Sequence, residues 1–462
     1  MGTRHETNSS AGSLASALMG LGESDASRRA VLRDPGGAWR TGEWLASSAG
    51  QFAEEAVRAG VRAGDRVVLV ARADARLAAH LAGLWLVGAV AVPVSPSAPD
   101  LQRERVIHDC GATWVLGIDG RLAPTGLVGP DSAGESGHAR LLIYTSGTTG
   151  RPKGVVHTDE SLLAAASSVR AAWQITPQDR LVHALPLSHI HGLVVGLLTA
   201  LVSGASVDML ARFETSGVVE SIETQGASLF FGVPTMYYRL ARDGGARSLA
   251  RLRLAVSGSA PLAPSLFGDL TAAGVPLLER YGMTETGLVL SQALHGPRRP
   301  GTVGSPMPGV RVGVHEGELH VASPAMCAGF WGQPGRLEEQ MREGYFATGD
   351  LVEVEDGVYR VLGRRSNLII SGGFNVVPEA VETELLEHPS IHEVAVVGVP
   401  DEEFGELVTA FVVADSDFEE SAVRDWLAEH LAPAQRPRRY VRVAQLPRNE
   451  MGKLLRAQLR SE

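Results

Sequence analysis

The stretch "GDRVVLVARADARLAAHLAGLWLVGAVAVPVSP", starting at Gly64, limits the fold more than any other part of the sequence. A β-branched run at Val67–Val70 precedes a Leu/Ala-rich segment of helical length, and a second apolar run, "AVAVPV", follows. The same rhythm returns at "DRLVHALP" with "GLLTALVSGASVDML", and at "ASLFFGVPT" with "MYYRLARD". Strands alternating with helices across short Gly/Pro turns predict an α/β fold, with layers built around mostly parallel sheets. The apolar run from Leu77 contains His80 and is broken by Gly88 and Pro93, so it reads as a buried helix entering a buried strand, not as a membrane span. No repeat of fixed period is present.

The chain has 462 residues, enough for two or more domains. A formal net charge of −10 argues against nucleic acid or an anionic membrane as the main partner. Cys110 and Cys327 are the only cysteines and form no C-x-x-C pair, which excludes a disulfide framework and fits a reducing, cytoplasmic setting. Residues 1–14 lack the apolar core of a signal peptide and read as a disordered leader. Residues 120–137, rich in Gly, Pro and Ser, read as a loop. The texture changes after Gly363, where "LIISGGFNVVPEAVETELLEHPSIHEVAVVGVP" alternates short strands with a helix. The expectation is a large α/β body over 15–364 and a smaller, mobile α+β domain over 365–462, joined near Arg364-Arg365-Ser366-Asn367.

"YTSGTTGRPKGV", Tyr144 to Val155, places glycines, hydroxyls and the cation Lys153 directly after the apolar run Leu141-Leu142-Ile143. Glycines let backbone N–H groups turn inward, and hydroxyls and an ammonium add donors, which suits a phosphate cradle. The spacing is not G-x-x-x-x-G-K-[ST], and Gly154 stands where a metal-binding hydroxyl belongs, so a Walker-type ATPase is rejected.

Further polar stretches sit at apolar boundaries: "SGSAPL" (Ser257–Leu262), "ERYGMTETG" (Glu279–Gly287), "GYFATGDL" with Asp350, "VLGRRSN" with Arg364, and "LPRNEMGKLLR" with Lys453. Taken singly, each has a plain reading as a turn, a core tyrosine, a cap or a solvated tail. As an ordered set, the sequence resembles the adenylate-forming superfamily of acyl-CoA synthetases, adenylation domains and luciferase over residues 28–462. The resemblance implies that Thr145, Ser146, Gly147, Thr148, Thr149, Gly150 and Lys153 hold the outer phosphates of ATP. It implies that Ser259, Ala260 and Pro261 edge the adenine and acyl pockets, and that Glu279, Arg280, Tyr281, Gly282 and Met283 line the nucleotide, with Tyr281 against adenine. By the same resemblance Thr284 serves the α-phosphate, Glu285 holds Mg²⁺, and Asp350 and Arg364 take the ribose. Lys453 bridges carboxylate and α-phosphate. The small domain then turns about the connector to bring Gly372 and Gly373 to a thiol tunnel for coenzyme A. The family's hinge carries Asp where this chain has Asn367, which tolerates the same unusual backbone angles.

Substrate identity has to come from the pocket. "LPLSHIHGLVVG" offers His189 and His191, and "FGVPTMYYRLA" offers Arg239, one turn after Met236. A guanidinium buried there needs an anion, and a second carboxylate supplies one. By similarity these stretches look closest to the malonyl-CoA synthetases, which implies malonate or methylmalonate as the acid, with His189, His191, Arg239, Ser257 and Met283 around it and His189 near the chemistry. Another small or aromatic acid, or a carrier-protein thiol acting in trans in place of CoA, stays open at this point. A nucleotide-binding regulator without chemistry does not fit the intact Thr284, Glu285, Asp350 and Lys453.

Overall fold

A computed structural model describes residues 13–23, 28–127, 138–146, 152–416, 418–449 and 454–460. The expected strand–helix–strand unit forms as read. Arg66–Val70, the helix Ala75–Val87 and Val90–Val94 follow one another, and the two strands pair in parallel. Asp74 caps the helix by accepting from Leu77 N, and Gly88 ends it in the left-handed region. These strands belong to a seven-stranded sheet that also holds Ala139–Ser146 and Pro152–Thr158, the two arms of the phosphate-cradle hairpin.

A second sheet has nine strands. Its parallel centre runs Leu277–Met283, Leu254–Ser257, Leu229–Gly232, Arg180–His183, Ser206–Met209, Ala30–Arg33. Antiparallel strands close both edges: Gly287–Ser291 with Ser305–Pro306 at one end, and Trp39–Thr41 at the other. Near-continuous apolar runs such as Leu229–Gly232 are buried on both faces, as a helix-covered parallel sheet requires. A third sheet, all antiparallel, spans Arg311 to Arg364. One contiguous core runs from Leu14 through Val352.

The smaller C-terminal domain has its own five-stranded sheet and a separate core of Ile369, Val376, Val381, Leu385, Val394, Val396, Val408 and Leu427. The fold is therefore mixed α/β, with a large N-terminal body and a smaller C-terminal domain.

Three expectations change. Leu14 is fully buried and opens the helix Leu14–Met19, capped by Ser13, so structure begins inside the stretch expected as leader. The expected loop 120–137 carries the short strand Leu122–Pro124, while residues 128–137 lie outside the described ones. The helix expected at "GLLTALV" is wound as a π-helix over His191–Leu198 before turning α-helical at Thr199–Val202. Among the described residues no helix is long and apolar enough to cross a membrane. Both cysteines are free and buried, and burial pushes their thiols up to about 12.

Candidate active site

Strand alternation sorts the site into two halves. Val182, Phe230, Ala255 and Leu277 lie in one row across the parallel strands. His183, one residue further on, and Arg280, three further on, therefore project to the same face, and Tyr281 projects to the other.

On Tyr281's side its hydroxyl donates to Asp350 Oδ2 at 2.5 Å, while Arg364 Nε lies 2.9 Å from Asp350 Oδ1. Asp350 and Arg364 stand opposite one another on paired strands, Tyr345–Glu355 and Val358–Arg364. Burial and the neighbouring Asp350 charge hold the Tyr281 phenol well above its ordinary range, so it stays a donor. Burial alone would weaken the Arg364 charge, but Asp350, Tyr281 and Glu285 outweigh it and raise its pKa.

The hairpin of the phosphate cradle meets this group through Lys153, whose Nζ lies 2.7 Å from Glu285 Oε1 and 4.6 Å from the centre of the Phe330 ring. Thr145 pairs with Lys153 across the hairpin, and its buried hydroxyl has no partner among the described residues. Ser146 ends its strand. Gly147, Thr148, Thr149 and Gly150, between the two arms, lie outside the described residues, as does Lys453. Thr284 is fixed from behind: His157 Nε2 donates to its carbonyl at 2.9 Å, and burial lowers that imidazole to about 4. Among the described residues no group of three or more His, Cys, Asp or Glu gathers as a metal cage. A single carboxylate such as Glu285 would suffice for Mg²⁺, since that cation takes one or two carboxylates and fills its shell from substrate phosphates and water.

On the other face stands a second group. Gly258 underlies the Arg280 guanidinium, and Ser259, in the left-handed region at φ 73°, holds Oγ 3.5 Å from Arg280 Nη2 and 3.1 Å from His191 Nδ1. Among the described residues Arg280 is buried without a salt bridge, its Nε has no partner, and burial lowers it to about 10. It is therefore charged at neutral pH. His191 is buried and held well below its ordinary range by burial and by the Arg280 charge, so it is neutral. Ser188 Oγ, Ser257 Oγ, His191 Nε2 and both nitrogens of His183 are likewise buried without hydrogen bonds of normal geometry to the described residues. His189 is half-buried nearby, close enough for its charged form to lower His191 further. Glu279 projects to the opposite face, where burial pushes its carboxyl up to about 8 while its backbone N–H donates to Gln292 Oε1.

Arg239 is not part of this group. Met236, Tyr237 and Leu240 form the buried face of the helix Pro234–Arg242, whereas Arg239 is exposed and lines an open surface cleft with Phe213, Glu214, Thr215 and Asp243. A guanidinium that is buried without a salt bridge among the described residues is instead Arg280, which the resemblance places with the nucleotide. Gly372 and Gly373 stand exposed at a hairpin tip beside Phe404 in the small domain. Asn367 lies in a 3₁₀ turn, and is absent from the residues with positive φ. The expected unusual angles do not occur in this conformation; instead its side-chain amide donates to Glu379 Oε1 at 2.8 Å. Gly282 and Met283 end the strand Leu277–Met283, while Ala260 and Pro261 lie in the loop between Leu254–Ser257 and Pro264–Ala272. Sequence reading missed Gly258, His157 and His183; "VSGSAPL" and "LVHALP" at strand ends were the available signals.

A large α/β body with a strand–hairpin phosphate cradle, and a carboxylate–tyrosine–arginine cluster beside it, defines a nucleotide-binding enzyme with a separate C-terminal unit. The chain belongs to the AMP-binding enzyme family, whose pattern matches residues 22–331, with the AMP-binding enzyme C-terminal domain matching 380–453. It is 34% identical to malonate–CoA ligase of Arabidopsis thaliana, over 86% of this chain and 78% of that protein. It is 34% identical to the mitochondrial malonate–CoA ligase ACSF3 of Homo sapiens, over 84% of this chain and 81% of that one. Among solved structures, ATP-bound MatB from Rhodopseudomonas palustris superimposes with a TM-score of 0.88 at 31% identity, covering 97% of this chain and 98% of that one.

Proposed function

We propose that the chain is an ATP- and Mg²⁺-dependent acid–CoA ligase that activates malonate or a small 2-substituted malonate. The observation that carries this reading is Arg280, a buried charged guanidinium with no anion among the described residues. An uncompensated charge in the interior is expensive, and a ligand carboxylate relieves it. A simple fatty acid spends its only carboxylate on ATP; a dicarboxylate has one left for Arg280. The relatives named malonate–CoA ligase support the same choice.

In the first step a carboxylate oxygen of the acid attacks the α-phosphorus of ATP, the bond to the bridging oxygen breaks, and pyrophosphate leaves. Positioning and electrostatic stabilisation do most of the work in such transfers. Lys153 and the hydroxyls of the cradle hold the outer phosphates, Thr284 faces the α-phosphate, and Asp350 with Arg364 takes the ribose. Glu285, with Lys153 turned to phosphate, would hold Mg²⁺, and the cation would supply neutralisation of charge on the phosphate oxygens. Lys453 bridges the attacking carboxylate and the α-phosphate. In the second step the small domain turns about Asn367, the CoA sulfur attacks the acyl carbon, and AMP leaves with the electrons of the C–O bond.

The test is pyrophosphate release with ATP, Mg²⁺ and CoA across malonate, methylmalonate, butyrate, octanoate and benzoate. The two malonates are expected to lead in kcat/KM by at least about tenfold, the scale of a charged hydrogen-bonded pair. Preference for a monocarboxylate overturns the assignment of the acid.

A further inference from the structure

His183 ends the strand Arg180–His183, fully enclosed, and neither ring nitrogen makes a hydrogen bond of normal geometry to the described residues. Burial lowers it to about 4, with only the Leu185 backbone favouring its charged form. A buried polar group without a hydrogen bond of normal geometry is destabilising. Stability therefore does not explain a histidine here; leucine would fill the space without that cost.

Its surroundings point to the acid pocket. His183 packs against the π-helix His191–Leu198, a winding frequent at functional sites, and the approach is so close that a methyl group on Gly196 would stand 2.8 Å from His183 Cε1. The same helix begins with His191, which feels the charge of Arg280 and lies close enough to His183 to couple to its charged form. His183 and Arg280 share a sheet face, and His191 couples to both.

One tautomer of His191 gives its enclosed nitrogen a proton to donate. Arg280 has no lone pair to offer, so Ser259 Oγ accepts from it with one lone pair, and the Ser259 hydroxyl proton is available to His191 Nδ1. A neutral imidazole that accepts at Nδ1 carries its proton at Nε2, which is the enclosed nitrogen without a partner among the described residues. In that tautomer Nε2–H is a donor facing the interior, and its direction depends on what the ring rests against.

We propose that His183 is a positioning residue of the acid pocket. It is a neutral imidazole packed under the π-helix that sets the ring orientation of His191, so that His191 Nε2–H and Arg280 together bind the second carboxylate of the acid. This rests on the reading of Arg280 given above and adds a residue that touches neither acid nor ATP.

The experiment compares the full-length protein with His183→Leu and His183→Asn, measuring KM and kcat for malonate, KM for ATP, and butyrate turnover. In His183→Leu the malonate KM is expected to rise at least about tenfold while the ATP KM stays within about twofold and butyrate is unaffected. The thermal midpoint is expected not to fall, because an unpartnered polar group has gone. His183→Asn, which keeps a donor and an acceptor, is expected to recover part of the malonate KM; if His183→Leu does not fold, this variant carries the test through the malonate-to-butyrate ratio. An unchanged malonate KM in both variants overturns the proposal, as does an equal loss for malonate, butyrate and ATP. Those outcomes leave the ligase reading intact so long as the unmodified protein prefers malonate; if it does not, both fall together.

Discussion

The Arg280 guanidinium lies across Gly258 so closely that a methyl group on Gly258 would stand 2.3 Å from Nε and 2.6 Å from Cζ. The absence of a side chain at Gly258 is thus what lets a cation occupy that position. Gly258→Ala is expected to displace Arg280 and raise the malonate KM by about tenfold or more, with a much smaller change in the ATP KM. Steady-state kinetics with each substrate varied in turn checks this, and equal KM changes for both substrates would contradict it.

Asn367 and Glu379 form the second relationship with consequences. Glu379 Oε1 receives Asn367 Nδ2 at 2.8 Å and Arg456 Nη2 at 3.3 Å, so the connector is tied to the helix Pro378–Leu386. Asn367→Asp sets two carboxylates against each other, so either one takes up a proton or the two side chains move apart. The connector is expected to loosen, so limited trypsin digestion cuts after Arg364 or Arg365 faster than in the unmodified chain. An unchanged cleavage rate would mean that this hydrogen bond does not hold the connector.

Acid stability follows from two enclosed imidazoles. Burial lowers His157 and His183 from 6.5 to about 4, so the unfolded chain binds more protons than the folded one between those values. Their contribution is complete above pH 6.5 and is lost as pH falls towards about 4. His183→Leu removes one of the two, so its thermal midpoint is expected to fall less steeply over that window. Parallel curves for the two proteins would contradict the burial argument.

Lys453 is expected to serve only the first step. Lys453→Ala should abolish acyl-adenylate formation and spare thioester formation from a supplied adenylate, as a role confined to one half-reaction requires. Lys153 and Lys453 are the only lysines in the chain, so amine-selective labelling with and without ATP reads these two side chains alone. Equal loss of both half-reactions would undo the assignment.

Much of the fold was readable because its signals are local. Val67–Val70, the helix to Val87 and "AVAVPV" need only periodicity and a Gly at the helix end. The π-winding over His191–Leu198 leaves no such trace, since an apolar run reads alike in either helix. Arg239 shows where periodicity misleads. At about 100° per residue, Arg239 and Leu240 fall on opposite sides of Met236, and burial of Tyr237 swings the inner face towards Leu240. Arg280 was visible as a residue but not as a buried cation without a salt bridge among the described residues. Its neighbour Tyr281 carried the motif, and strand alternation sends the two to opposite faces. The bonds that join Lys153 to Glu285 and His157 to Thr284 span more than a hundred residues and depend on which strands become neighbours, which composition does not specify.

The most direct test of the central claim is the malonate-to-butyrate ratio of kcat/KM for Arg280→Leu beside the unmodified protein. If Arg280 binds the second carboxylate, the ratio collapses by at least about a hundredfold while the ATP KM stays nearly constant, because removing one partner of a buried ion pair costs about 3–5 kcal/mol. If the ratio is unchanged, Arg280 does not read the acid and the malonate assignment loses its physical basis.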